Sequence, residues 1–151
     1  MLLAIDPGSE ESGWCMIGEK LRPEKSGKAQ NRDLLHGIYT CGEISRCVIE
    51  RIESYGLGVG RTVFDTCIWT GRFVEACAKR DIPVWLLPRR EVKLHLCGRM
   101  SAKDANIVAA LRERFGDKGT KREPGWFYGF KGDIWQAYAL GVTWIEQERE
   151  E

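Results

Sequence analysis

Histidine is scarce in this chain of 151 residues: His36 and His95 are the only two, far apart and without a partner motif. Histidines so few and so separated suggest neither a histidine-built zinc centre nor a histidine-based nucleophilic triad. No C-x-x-C pair occurs among Cys15, Cys41, Cys47, Cys67, Cys77 and Cys97, and each has apolar neighbours, so reduced core thiols are expected in place of disulfides. No apolar run approaches the roughly 18 residues of a membrane span. The apolar start Met1 to Ile5 is stopped by Asp6 and does not look like an export peptide, which sets the expectation of a cytoplasmic protein. A phosphate-loop signature is also missing: Gly56 to Gly60 (G-L-G-V-G) carries neither the G-K-S/T nor the x-x-G ending, and it reads as a flexible approach to a helix.

What is present is the composition of a globular protein, 43% hydrophobic and 30% charged, at a length that suits a single domain over residues 1–151. The net charge is +1, yet its distribution is uneven. Between Arg89 and Lys131 eleven Lys or Arg stand against five Asp or Glu, a net +6, which leaves −5 for the remainder. A basic window of this kind points to nucleic acid, although charge bias alone is equally a mark of solvated helix and loop surfaces.

Met1 to Ile5 reads as a buried strand ending on Asp6, and Pro7-Gly8-Ser9 supplies the turn into an antiparallel strand over Ser12 to Gly18. The polar stretch Glu19 to Asp33 shows no period and reads as a flexible loop, the segment most suited to disorder. Leu34 to Thr40 is read as a third strand and Cys47 to Ile49 as a fourth, which delivers Glu50 at its end. Apolar positions from Val63 to Ala78 recur at helical spacing and predict a helix over 61–80. The run 81–88, bounded by Pro83 and Pro88, is a strand that completes a β-α-β unit. Arg89 to Cys97 suits a short helix, Ser101 with Asp104 suits the cap of a helix to Phe115, and Asp133 opens a terminal helix to Gln147. With the short 89–97 helix left out of the count, the predicted order is β-β-β-β-α-β-α-α.

Asp6, Glu50 and Asp133 therefore come from two strand ends and one helix start. If the first two strands lie side by side, their carboxylates emerge at one sheet edge about 5 Å apart. Carboxylates that close repel unless a cation neutralises them, and hard oxygen ligands suit Mg²⁺, with Mn²⁺ as a substitute. Two such ions roughly 4 Å apart can generate a hydroxide nucleophile and stabilise the departing oxygen of a phosphodiester. Taken singly, each carboxylate is more ordinarily a cap or a solvated charge; the three gain weight jointly.

The blocks A-I-D-P-G-S with S-G-W, then V-I-E, then D-I-W-Q-A-Y-A-L-G-V-T resemble the RuvC-type Holliday-junction resolvases. Between them R-R-E-V-K-L-H-L-C-G with S-A-K-D is similar to that family's basic segment, so the likeness runs over most of the chain. The compact length, the G-W-F-Y-G-F block and the S-Y-G-x-x-V-G turn resemble the phage or prophage branch, whose members would act in a bacterial host's cytoplasm. The resemblance implies a ribonuclease H-like α/β fold, a mixed five-stranded sheet flanked by helices. It also implies a homodimer that binds a four-way junction and nicks two opposed strands with Mg²⁺. Asp6, Glu50 and Asp133 match the family's metal-binding acids, while its fourth acid falls on Gln136, an uncharged amide.

A second departure concerns topology. The family places a crossover helix between its third and fourth strands, whereas about five residues separate the two strands read here, a reach of at most about 17 Å. Either the third strand lies elsewhere or this region is shortened.

Lys93, Arg99, Lys103, Lys121 and Lys131 flank the acids in the segment similar to the family and are the basic residues expected on DNA phosphates, and the resemblance suggests that Lys93 and Lys131 also offset charge on the scissile phosphate. Tyr55 and the Trp126-Phe127-Tyr128 cluster suit either stacking on unpaired bases or packing. Three other readings stay open: a junction-binding protein of weak activity, motivated by Gln136; a ribonuclease H-like nuclease acting on flaps or RNA hybrids; and a fragment of the actin and sugar-kinase superfamily. The short chain and the missing second phosphate loop argue against the last.

Overall fold

Alternation along the first strand decides how the sheet is covered. In the computed structural model, which describes residues 1–150, β1 (Leu2–Asp6) is buried along its whole length, as a central strand covered on both faces must be. It pairs antiparallel with β2 (Glu11–Ile17), which pairs antiparallel with β3 (Pro23–Gln30). On its other side β1 runs parallel to β4 (Arg46–Arg51), and β4 runs parallel to β5 (Val84–Pro88). The five strands follow the order β3-β2-β1-β4-β5, the mixed sheet of the ribonuclease H-like fold.

One face carries Leu3, Ile5, Met16, Cys47 and Ile49 against α1 (Asn31–Thr40) and α2 (Arg61–Lys79), with Leu34, Ile38, Phe73 and Cys77 in contact. The opposite face carries Leu2, Ala4, Cys15, Ile17 and Val48 against α5 (Asp133–Glu150). Around α5 stand α3 (Arg89–Cys97) and α4 (Asp104–Phe115). The helix α5 lies close to the sheet because Gly141 has no side chain: a Cβ there would come within 2.3 Å of Ile17 Cδ1. Among the described residues no helix is long and apolar enough to cross a membrane.

Two expectations are corrected. The stretch 19–33 is not a loop: a 3-10 turn at Glu19–Leu21 leads into β3, and α1 begins at Asn31. As an edge strand with largely exposed or half-buried side chains, β3 carries no apolar alternation, and its Lys25 and Lys28 suit an unpaired edge. Leu34 to Thr40 is not a strand but most of α1, with Leu34 and Ile38 buried one helical turn apart. This helix is the missing crossover: β3 and β4 are parallel, and residues 31–45 supply the dozen or so positions such a connection needs. The observed order is accordingly β-β-β-α-β-α-β-α-α-α.

Smaller differences concern caps and thiols. The last residue before α4 is Lys103, whose backbone N–H donates to Asn106 Oδ1 at 2.9 Å, so Ser101 lies upstream of the helix start. All six cysteines are free, but Cys67 is exposed on α2 and not in the core. In the 117–131 segment, Trp126 and Phe127 pack inward: Trp126 stacks on Phe115 at 5.2 Å and its indole N–H donates to Tyr138 Oη at 3.1 Å, while Phe127 is fully buried. Tyr128 alone of that trio remains exposed.

Candidate active site

The face that α5 covers continues past the apolar core to the carboxyl ends of β1 and β4. Leu2, Ala4 and Asp6 point the same way along β1, as period two requires. In β4 the same holds for Val48 and Glu50, and the register Ala4↔Val48 and Ile5↔Ile49 sets Asp6 beside Glu50. Asp133, the first residue of α5, sits over the neighbouring strand position, Gly13, which pairs with Asp6. All three acids line one open cleft of about 1100 Å³, together with Pro7, Gly8, Arg51, Glu53, Tyr55, Arg89, Arg90, Lys93, Met100 and Ser101.

The turn after Asp6 is fixed from within. Gly8 N–H donates to Ser12 Oγ at 3.1 Å, the Ser12 hydroxyl donates to Asn31 Oδ1, and Asn31 Nδ2 donates to Gly8 O at 2.8 Å. Buried Ser12 and Asn31 thus hold the loop that follows the strand carrying Asp6.

Electrostatics mark Asp6 most strongly. Burial, and then the charge of Glu50, push its carboxyl up to about 8; the Arg89 guanidinium pulls the other way, while a hydrogen bond with Glu50 and the charge of Asp133 add to the rise. Arg89 Nε donates to Glu50 Oε1 at 2.6 Å and Arg89 Nη2 lies 3.5 Å from Asp6 Oδ1. On the other side Lys28 Nζ lies 2.9 Å from Asp133 Oδ2, and this pairing raises the lysine's affinity for its proton.

The donor chemistry fits a divalent cation. Hard carboxylate oxygens converge on one cleft, and the raised Asp6 registers negative charge that Arg89 and Lys28 offset in part. As placed, no group of three or more His, Cys, Asp or Glu among the described residues is gathered tightly enough to hold an ion. Asp6 and Glu50 are brought together; Asp133 shares the cleft but is turned to Lys28. Glu50 and Asp133 would complete the set by releasing their cationic partners.

The other expected residues divide. Lys93 and Tyr55 line the cleft, and Tyr55 is 64% exposed on the β4–α2 connection. Arg99, Lys103, Lys121 and Lys131 are exposed but lie outside the cleft lining, and Gln136 is half-buried one turn along α5 from Asp133, also outside it. Arg51, Arg89 and Arg90 are the cleft's arginines, and none was singled out from sequence. Arg89 and Arg90 were legible in principle, since they directly follow the strand ending at Pro88 and so emerge at the sheet edge that bears the acids. Lys28 was hidden by the misreading of β3 as a loop. Arg90 donates twice to Glu53, at 2.9 and 3.3 Å, which anchors the connection bearing Tyr55.

Solved structures share the fold. A structure of Thermus thermophilus RuvC superposes with a TM-score of 0.71 at 15% identity, covering 99% of this chain and 95% of that one. T. thermophilus RuvC in complex with a Holliday junction substrate superposes with a TM-score of 0.73 at 16% identity, covering 99% and 94%. No protein-family model and no curated protein matches the chain by sequence.

Proposed function

We propose that this chain, which has the RuvC-type ribonuclease H-like fold, is a metal-dependent endonuclease that resolves four-way DNA junctions by paired phosphodiester hydrolysis. The observation that carries the reading is the placement of Asp6 and Glu50 on one face at the ends of adjacent parallel strands, with Asp133 entering the same cleft from α5. That one of the similar structures holds a Holliday junction supports branched DNA as the substrate class.

In this reading Asp6, Glu50 and Asp133 hold the metal. Bound Mg²⁺ or Mn²⁺ supplies the Lewis-acid charge for hydrolysis. Lys93, Arg51 and Arg90 line the cleft and take phosphate oxygens of the strand to be cut, positioning DNA without reading its bases. Arg99, Lys103, Lys121 and Lys131 extend that contact over the surrounding surface, and Tyr55 offers a ring to an unpaired base at the junction centre. Gln136, half-buried and outside the cleft lining, stands where the family resemblance implies a fourth acid, so the charge at the site rests on three carboxylates. Two copies related by a two-fold axis would match the substrate's own symmetry, one site for each opposed nick, in the cytoplasm.

The test is a cleavage panel of end-labelled junction, flap, fork, RNA–DNA hybrid and duplex with Mg²⁺. Paired nicks in the junction above all other substrates are expected. Junction binding without cleavage would favour the weak-activity reading, and preferential cutting of flaps or hybrids would replace the substrate.

Gly13 provides a further check on the geometry. A Cβ at this position would stand 2.7 Å from both Cβ and O of Asp133, and the helix backbone cannot yield as a flexible side chain could. Gly13→Ala should therefore push Asp133 outward, lowering cleavage by roughly 10²-fold with a loss of stability of about 1–3 kcal/mol from overpacking. Single-turnover cleavage at saturating protein, set beside a urea melt, checks it: unchanged rates would show that Asp133 tolerates displacement.

A further inference from the structure

Arg89 opens α3 immediately after Pro88 ends β5, so its side chain leaves the same sheet edge as the acids. Its three guanidinium nitrogens are divided among three carboxylates. Nε donates to Glu50 at 2.6 Å, Nη2 lies 3.5 Å from Asp6, and Nη1 lies 3.6 Å from Asp104 in the first turn of α4. The Arg89 side chain is 31% exposed, whereas Asp104 is 57% exposed and stands on the solvent side.

A guanidinium does not lose its proton in a protein, so this counter-charge is permanent. A divalent ion at the acids and Arg89 would share the Glu50 carboxylate, whose Oε1 already accepts from Arg89, and two cations side by side there repel each other. Occupancy by one therefore works against the other. A phosphodiester entering the cleft offers the fork a second anion, one that arginine binds with two parallel hydrogen bonds. Asp104 holds the outer nitrogen and would keep a released guanidinium at the rim.

Resting on the reading of Asp6 and Glu50 as metal-binding acids, we propose that Arg89 is a built-in competitor of the metal: it occupies the pair in the absence of DNA and leaves it for a substrate phosphate. Metal loading is thereby coupled to DNA binding. Free in the cell without DNA, the protein holds its acids closed by its own side chain.

The experiment is Mn²⁺ binding to the DNA-free protein, read from the paramagnetic resonance signal of unbound Mn²⁺, for the wild type and for Arg89→Gln, Arg89→Lys and Asp6→Asn. Arg89→Gln is expected to bind at least about tenfold more tightly than wild type, and Arg89→Lys at least about threefold, since an ammonium keeps the charge but cannot span three acids. Asp6→Asn should lose the site. Binding that needs Asp6 but is no tighter in Arg89→Gln overturns the competition while leaving the nuclease reading in place. Tightening in the Gln variant alone would assign the effect to net charge and overturns it too. Binding that Asp6→Asn leaves unaltered would sink the nuclease reading itself. Should the Gln variant not fold, the Lys variant decides by the same criterion. The phosphate half is read from the salt dependence of junction binding in Ca²⁺, where Arg89→Gln should flatten the logarithmic slope by about 0.9. An unchanged slope overturns the coupling to DNA.

Discussion

If the proposed activity holds, Asp6→Asn should remove metal-dependent cleavage of a four-way junction, with a fall in the single-turnover rate of at least about 10³-fold, roughly 4 kcal/mol of barrier, while binding of the same junction in Ca²⁺ should be kept or tightened. Asp6 is the most buried of the three acids and the one whose surroundings most oppose a bare negative charge, so a cation is drawn to it more strongly than to a solvated carboxylate. Asparagine preserves the shape and a carbonyl oxygen but not the charge, and charge is what hydrolysis of a phosphodiester demands of the site. On the proposed reading DNA binding rests on Lys93, Arg51 and Arg90, which line the cleft, and should gain when a nearby anion is removed. Gel shift in Ca²⁺ and cleavage in Mg²⁺, on one preparation, separate the two effects. An active Asp6→Asn protein would remove Asp6 from the chemistry and leave Glu50 without a partner on its face of the sheet.

Why these acids could be found from sequence, and their cationic partners could not, has a physical explanation. A carboxylate that ends a buried apolar strand interrupts a strong local pattern, as Asp6 does after Leu2 to Ile5 and Glu50 after Val48-Ile49, and Asp133 heads a long apolar helix. The central strands and α5 are legible for the same reason, since their burial is deep and their apolar runs are clean, whereas α2 buries Thr66, Phe73, Ala76 and Cys77 and leaves Cys67 and Ala78 of the predicted spacing exposed. The edge strand β3 defeats that logic because it derives its order from backbone pairing with β2, which leaves no apolar trace. Once β3 is lost, Leu34 and Ile38 look like strand residues and the crossover helix vanishes with it. Lys28 on β3 then cannot be placed against Asp133. Gly13 escapes notice for a different reason. Its function lies in the space that its missing side chain leaves for a residue 120 positions away, which is a property of the packed structure.

Removing the charge of Asp6 should also stabilise the metal-free protein, and by an amount that grows with pH. The folded protein holds this proton up to about 8, whereas the unfolded chain releases it near the ordinary 3.8. Between those values the unfolded state binds fewer protons, so stability falls as pH rises through the window and the deficit is full above the folded value. The gap, at about 1.36 kcal/mol per pH unit, sets a ceiling near 6 kcal/mol with the pull of Arg89 already included; water entering so open a cleft reduces it to roughly 3 kcal/mol at pH 8. Asp6→Asn carries no such proton linkage, so in EDTA it should melt about 6–12 °C above wild type at pH 8 and converge with it near pH 4. Adding Mg²⁺ should close the difference from the other side, because a ligand that binds the folded state alone raises the wild-type melting temperature and leaves the Asn variant where it was. Parallel melting curves for the two proteins across pH 4 to 8, or equal Mg²⁺ responses, would mean that Asp6 bears no uncompensated charge and that its cleft is not built around a cation.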